Sequence, residues 1–249
     1  MRMVELLPAL RDRARLNDKF DAMHEIILSD FHLTAPYACH FRQSWVMAEI
    51  ESRRPEVVWL LGDSVELYLK DAFVRDPVWK RLQALDASVR LIPGNCPHDS
   101  ARRWKEFRHF LGKIELWEKV IDIHGYRLTH GDIYDRRVRV WELLLRPLYR
   151  LAPRLRVHLL KRILPSAYSW TYSRTKTETQ AIALIRERAL EDAVKSGMRG
   201  LIHGHTHAPQ ITKRGKVSVY DLGSAGTEDR SGFIGILKDG KLELEEVPR

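Results

Sequence analysis

The chain has 249 residues, of which 44% are hydrophobic and 30% charged, enough apolar material for one domain with a sizeable core and too much for a disordered chain. Two cysteines, Cys39 and Cys96, exclude a disulfide framework, and no run reaches the roughly 18 apolar residues of a membrane span. Forty-two Lys and Arg against 33 Asp and Glu leave a net charge of +9, which points to an anionic partner: a phosphorylated substrate, an acidic membrane face or nucleic acid.

In chain order, residues 1–20 are charged and lack the apolar centre of a secretion signal, so a cytoplasmic location is expected. Within them, 4–17 has amphipathic helical spacing. Residues 24–28 read as a short apolar strand running into Ser29-Asp30-Phe31-His32. A helix is predicted over 41–53, closed by Pro55, and a second buried strand over 57–61 ends at Gly62-Asp63. Residues 77–85 are helical, 89–92 form a third strand ending at Pro93-Gly94-Asn95, and 101–111 are helical again. Residues 117–123 and 126–129 read as a hairpin around His124-Gly125, followed by His130-Gly131-Asp132.

The pattern then changes. From Arg136 to Lys176 there are eleven Lys and Arg and one acid, Glu142, more than the whole net charge. Residues 137–164 are rich in Leu and Arg at helical spacing, punctuated by Pro147, Pro153 and Pro165. A further helix is predicted over 175–196, with Ala181, Ile182, Ile185, Ala189 and Val194 facing inward and Gly197 as its C-cap. A strand at 201–203 runs into Gly204-His205-Thr206-His207, and 217–222, 233–237 and 241–247 are the last strands. Strands alternate with helices early and pair as hairpins late, which predicts α/β layers with mixed sheets. No linker or repeat divides the chain, so a single domain over 1–249 with a helical insertion at about 136–196 is expected.

Five of these segments end in oxygen or imidazole donors: Asp30 and His32, Asp63, Asn95, His130, and His205 with His207. Such mixed donors suit Mn, Fe, Zn, Co or Ni better than Ca, and strand ends hold ligands rigidly. The neighbouring Gly62, Gly94, Gly131 and Gly204 let the backbone turn after each strand. A lone histidine such as His24, His40, His109, His124 or His158 reads as a surface or core residue, and Asp30 or Asp63 alone could cap a helix. Five motifs in order carry more information than any one of them.

Asp-x-His, Gly-Asp, Gly-Asn, an isolated His and Gly-His-x-His, in that order over about 26–223, resemble the calcineurin-like metallophosphoesterase family. The resemblance implies a four-layer α-β-β-α sandwich of two mixed sheets with a helical cap insertion. It implies two divalent metal ions, Mn2+ first with Fe, Zn, Co or Ni as alternatives. Asp30, His32 and His207 would bind one metal, Asn95, His130 and His205 the other, and Asp63 would bridge them. The activity implied is hydrolysis of a phosphate ester or phosphoanhydride, with Asp63 and Asn95 in the catalytic machinery.

One departure is informative. Many members carry a general-acid His directly after the motif Asn, where this chain has Cys96. His98 could reach in from a remodelled loop, or the leaving group needs no proton, or the enzyme is weak. A phosphoanhydride leaves as a stable anion and gains little from an acid. The extended motifs are most similar to the UDP-2,3-diacylglucosamine pyrophosphatase branch of lipid A synthesis, which also lacks that His. Gly62-Asp63-Ser64-Val65-Glu66 matches its Gly-Asp-x-x-Glu, and Asp221-Leu222-Gly223-Ser224 resembles its Asn-x-Gly-Ser.

The insertion fits a lipid-linked substrate that releases UMP. Trp141, Leu144, Leu145, Leu148 and Leu151 give an apolar stripe flanked by Arg137, Arg139, Arg146, Arg150, Arg154 and Arg156. Arg137, Arg146 and Arg150 are the substrate-binding candidates, and the segment could lie peripherally on the anionic inner membrane face. A helix pair that packs in the core and solvates its basic face explains the same pattern. A phosphodiesterase or nuclease, or a scaffold of the same fold without catalysis, are the rival functions. The aliphatic content of the insertion disfavours nucleic acid, which calls for exposed basic and aromatic side chains.

Overall fold

A computed structural model describes residues 24–35, 37–67, 70–95, 98–138, 176–228 and 231–248. The first sheet contains β1 (His24–Leu28), β2 (Val57–Leu61), β3 (Ser88–Ile92), β4 (Glu115–Leu116), β10 (Phe233–Lys238) and β11 (Lys241–Glu246), in the order β11-β10-β1-β2-β3-β4. The run β1 to β4 is parallel, and β10 and β11 are antiparallel. The second sheet contains β5 (Val120–Ile123), β6 (Tyr126–Thr129), β7 (Gly200–His203), β8 (Gln210–Arg214) and β9 (Val217–Asp221), in the order β5-β6-β7-β9-β8. Its centre β6-β7-β9 is parallel and its two edges are antiparallel.

The side-chain period of two builds the layers. Ile26, Leu28, Val58, Leu60, Val89 and Leu91 pack with helices α1 (His40–Arg53), α3 (Pro77–Ala84) and α4 (Ala101–Phe107), through Val46, Met47, Trp79, Leu82 and Trp104. A one-turn helix, α2 (Lys70–Phe73), adds Phe73 to this face. The alternate residues Ile27, Val57, Trp59, Leu61 and Ile92 meet Tyr126, Leu128, Ile202 and Leu222 between the sheets. Leu201 and Val219 turn away from that core onto Ile185, Ala189, Leu190 and Ala193 of α5 (Lys176–Lys195). The result is helix, sheet, sheet, helix. Strand β2 is apolar throughout and β1 is buried from Glu25 on, because both of their faces are covered.

Local chemistry sets the helix ends. The Asp76 carboxylate accepts the N–H of Val78 (2.8 Å) and Trp79 (3.3 Å), with Pro77 in the first turn of α3. Arg54 closes α1 in the left-handed conformation, its N–H bonded to the carbonyl of Ile50, just before Pro55. Gly197, at φ +66°, ends α5 as its sequence position predicts.

Several boundaries differ from the sequence expectation. Residues 117–123 do not form one strand. Glu115–Leu116 joins the first sheet as β4, and the chain crosses to the second sheet before β5. Trp117, expected in a strand, instead stacks on Arg90 and edges Trp59. The helix predicted over 101–111 ends at Phe107 and continues as a 3-10 turn over Arg108–Phe110. Val194 is 45% exposed, while Leu190 and Ala193 are buried, because the buried stripe of α5 follows Ile185, Ala189 and Ala193 at four-residue steps. β8 was not expected, since an edge strand exposed on nearly all of its residues shows no alternation. The helix expected at 4–17 and residues 139–175 of the expected insertion lie outside the described residues, and α5 packs on the second sheet. Among the described residues no helix is long and apolar enough to cross a membrane.

Ile185→Ala should cost about 2–5 kcal/mol of stability, as buried aliphatic truncations do, and Val194→Ala within about 0.5 kcal/mol, as exposed substitutions do. Denaturant titration measures both, and the reverse ranking would contradict this placement of the helix.

Candidate metal centre

All the singled-out donors sit just past the C-terminal ends of parallel strands. Those of the first sheet (β1, β2, β3) and the second (β6, β7) open onto the same seam. The backbone there is unusual. Asp30 (φ +53°), His32 (+48°), Asp63 (+47°), His205 (+72°) and His207 (+52°) are all left-handed, five of nine such non-glycine residues described. Each conformation costs on the order of 1–3 kcal/mol and persists only where the surroundings hold it. Here loop grips loop: Asp30 N–H donates to Gly62 O (3.2 Å), His32 N–H to Asp63 O (2.9 Å) and Gly204 N–H to His130 O (3.0 Å).

Two of the glycines serve a different end from the turn expected of them. Gly94 and Gly204 are not left-handed. A Cβ on Gly204 would overlap Ser29 Oγ and Asp30 Oδ2, and one on Gly94 would overlap Asp63 and Asp99. Close approach of the loops, rather than turning, requires glycine there.

The donors converge in two buried groups. Asp30, His32 and His207 each place a ligand atom within 4.8 Å of one another, as do Asp63, His130 and His205. In the first group, His207 Nε2 is 3.0 Å from Asp30 Oδ1 and 3.1 Å from His32 Nε2. Asp30 Oδ2 accepts Ser29 Oγ–H (2.5 Å) and His205 N–H (2.8 Å), so one oxygen is anchored and the other faces the imidazoles. In the second group, Asp63 accepts the backbone N–H (3.0 Å) and Nδ2 (3.0 Å) of Asn95. Asn95 Nδ2 also lies 3.2 Å from both His130 Nε2 and His205 Nδ1. A half-turn of that carboxamide would present Oδ1, a metal donor, to the same point.

Outer partners fix which nitrogen each ring turns inward. His130 Nδ1 donates to Leu61 O (2.8 Å), His32 Nδ1 to Glu66 Oε1 (2.9 Å), and His205 Nε2 pairs with Asp135 Oδ2 (3.2 Å). Each bond leaves the opposite nitrogen for a cation, the arrangement that orients metal-binding histidines. His98, the catalytic candidate that the sequence offers from a remodelled loop, is at the site. Its Nδ1 donates to Glu66 Oε2 (2.7 Å), and its Nε2 is 3.8 Å from Asp63 Oδ2.

Burial opposes charge on Asp63, yet the positive charges of His98 and His130 hold its carboxyl well below the usual range. Asp30 is held low in the same way, by His207 and His130. Glu66, buried between His98 and His32, falls to about 2. Against the same burial, the Asp30 and Glu66 hydrogen bonds raise His32 to about 10, and the charges of Asp63 and Asp30 raise His130 to about 10. Burial lowers His207, against the opposing charge of Asp30. Acidic oxygens and imidazole nitrogens converge in these two groups, and in a third, His32, Glu66 and His98, that shares His32 with the first; such donors fit divalent cations of the Mn, Fe, Co, Ni or Zn kind.

Sequence reasoning missed Asp99, and it marked Asp221 and Ser224 as a motif without giving them a role. Asp99, fully buried, accepts the N–H of Asp63 (2.9 Å), Ser64 (3.0 Å) and Gly94 (2.8 Å) and ties the second motif to the third. Burial and the Asp63 charge push its carboxyl up to about 7. Asp221 holds the Gly-His-x-His turn through Thr206 Oγ1 (2.5 Å), and Ser224 Oγ donates to Asp30 O (2.8 Å). Among the substrate-binding candidates, Arg137 is described and chelates Asp135. Arg146, Arg150 and Cys96 lie outside the described residues.

The family profile of the calcineurin-like phosphoesterases matches residues 23–209. The chain is 30% identical over 206 residues to a UDP-2,3-diacylglucosamine hydrolase of Pseudomonas aeruginosa, covering 75% of this chain and 83% of that protein. It is 28% identical over 204 residues, with the same coverage, to the protein of that name from Pseudomonas paraeruginosa. Among solved structures, a novel archaeal phosphodiesterase aligns over 90% of this chain and 99% of its own, with a TM-score of 0.49 and 20% identity.

Before a cation binds, His32 and His130 keep their protons to about pH 10, and a cation needs the free base. Cation affinity should therefore rise from pH 6 to pH 8, with protons released on loading at pH 7. Calorimetry in two buffers of different ionisation enthalpy counts them, and loading without proton release would contradict the protonation described.

Proposed function

Because the chain belongs to the calcineurin-like phosphoesterase family, whose members are metal-dependent hydrolases, we propose that it cleaves the phosphoanhydride of a nucleotide-linked lipid, a UDP-2,3-diacylglucosamine-type substrate, releasing UMP. The observation that carries the proposal is the paired donor set at the seam of the two sheets. The similarity to hydrolases of that name supports the substrate.

In this reading Asp30, His32 and His207 hold one divalent cation and Asn95, His130 and His205 the other, with Mn2+ the first choice. Asp63 serves both. It sits in the second group, and its charge also acts on His32 and His207 of the first. These residues would hold two such cations, which when bound would supply Lewis acidity for water activation and charge neutralisation at the phosphoryl group. The chain supplies the rest. His98, braced by Glu66, directs Nε2 into the space beside Asp63, where it can donate to a phosphoryl oxygen. No other imidazole need follow Asn95, because UMP departs as a stable anion and gains little from a proton donor.

The Leu-rich, Arg-rich segment 136–176 would cap the acyl part and rest on the anionic inner face of the cytoplasmic membrane. Its net charge also fits a phosphodiester substrate such as nucleic acid.

Manganese-loaded protein should release UMP from UDP-2,3-diacylglucosamine, and Asp63→Ala should reduce release to background. Cleavage of bis-p-nitrophenyl phosphate without UMP release would keep the phosphoesterase and reject this substrate. His98→Ala should slow UMP release by less than about tenfold, since acid catalysis is worth roughly 10²–10⁴ where it is needed. A larger loss in stopped assays would make His98 an obligatory acid.

A further inference from the structure

We propose that Arg137 is a positioning residue of the metal centre, fixing the Asp135 carboxylate that in turn orients the imidazole of His205. The inference rests on the two-cation reading above and deepens it. Arg137 is thereby removed from the group of arginines that hold substrate.

The geometry runs outward from His205. Its Nδ1 lies 3.2 Å from Asn95 Nδ2, inside the second donor group. Its Nε2 lies 3.2 Å from Asp135 Oδ2. A neutral imidazole carries one N–H. With that hydrogen on Nε2 and given to Asp135, the Nδ1 lone pair is left facing inward. Asp135 therefore selects both the tautomer and the ring direction of His205, the task that outer carboxylates perform for metal-bound histidines.

Asp135 is itself gripped on both oxygens. The backbone N–H of Arg137 donates to Oδ1 (2.9 Å), Nε to Oδ1 (3.0 Å) and Oδ2 (3.2 Å), and Nη2 to Oδ2 (2.8 Å). The Nε and Nη2 edge of a guanidinium is the fork that would receive a phosphate side-on. Here it is spent on Asp135. The stage beneath is rigid. Asp135 follows a 3-10 turn, Asp132–Tyr134, whose Tyr134 hydroxyl donates to Asp192 (2.6 Å) and whose carbonyl accepts Arg188 Nη1 (2.7 Å), both on α5. The backbone position of Asp135 is thus set by α5, and the rotation of its carboxylate by Arg137.

Arg137 is also the second residue of the basic segment 136–176. The point where the chain leaves the metal centre for that segment is therefore tied, through one ion pair, to a histidine of the second group.

The test measures Mn2+ affinity and stoichiometry by equilibrium dialysis of wild type, Arg137→Ala, Arg137→Lys, Asp135→Asn and the Arg137→Ala/Asp135→Asn double variant. Arg137 is half exposed, so its substitutions leave the core intact, and thermal melts of the cation-free proteins check this. One of the two Mn2+ sites should lose about tenfold in affinity in Arg137→Ala, the lower end of the effect of removing an outer partner. Arg137→Lys, which keeps the charge without the fork, should recover part of it. The double variant should be no worse than Asp135→Asn alone. Unchanged Mn2+ affinity in Arg137→Ala would overturn the inference, as would losses that add in the double variant. A wild-type protein that takes up fewer than two Mn2+ would instead overturn the paired-cation reading on which the inference rests.

Discussion

The structure depends on burying acid beside imidazole at the seam of two sheets. Asp30, Asp63 and Glu66 are almost wholly inaccessible, and so are His32, His130, His205 and His207. Charges removed from water in this way are costly unless they are paired. Within the chain Asp63 and Glu66 are held ionised by the imidazolium groups of His98, His130 and His32. That arrangement is self-consistent but expends several imidazole lone pairs on protons. Two cations would replace those protons and satisfy the same acids. The left-handed backbone at five of these residues is a second cost borne at the same place. Asp99, Asp221, Ser224 and the cross-loop hydrogen bonds are what hold it.

The layers serve that seam. Parallel strands of both sheets deliver their C-terminal ends to one edge, and the inter-sheet core of Trp59, Leu61, Leu128 and Ile202 fixes the spacing between the two sets of loops. Ligands from β1, β2 and β3 are brought onto ligands from β6 and β7 with no freedom to drift apart. The same construction leaves His98 and Glu66 as a pair beside Asp63, contributed by loops that are 32 residues apart.

Much of this was legible in the sequence, for identifiable reasons. Short apolar runs, 26–28 before Ser29 and Val57–Leu61 before Gly62, mark covered strands, so β1 and β2 lie where the sequence predicts. The donors that follow them are short motifs with fixed spacing. What the sequence could not show is cooperation between loops. Asp99 is an acid in a loop with no period, and its three backbone partners lie in two other motifs. Arg137 carries the composition of a substrate-binding arginine, and only the fold shows Asp135 in its fork. Helical spacing alone points Val194 inward, but the buried stripe is set by where α5 meets β7 and β9. β8 lacks a buried face and so lacks a signal.

The central claim is that Asp63 joins two cation sites into one centre. It is tested most directly by titrating cation-free protein with Mn2+ under electron paramagnetic resonance. The account predicts two Mn2+ per chain with an exchange-coupled signal, collapsing to an uncoupled one in Asp63→Asn. Two uncoupled ions in the wild type, or a single ion at saturation, would contradict it.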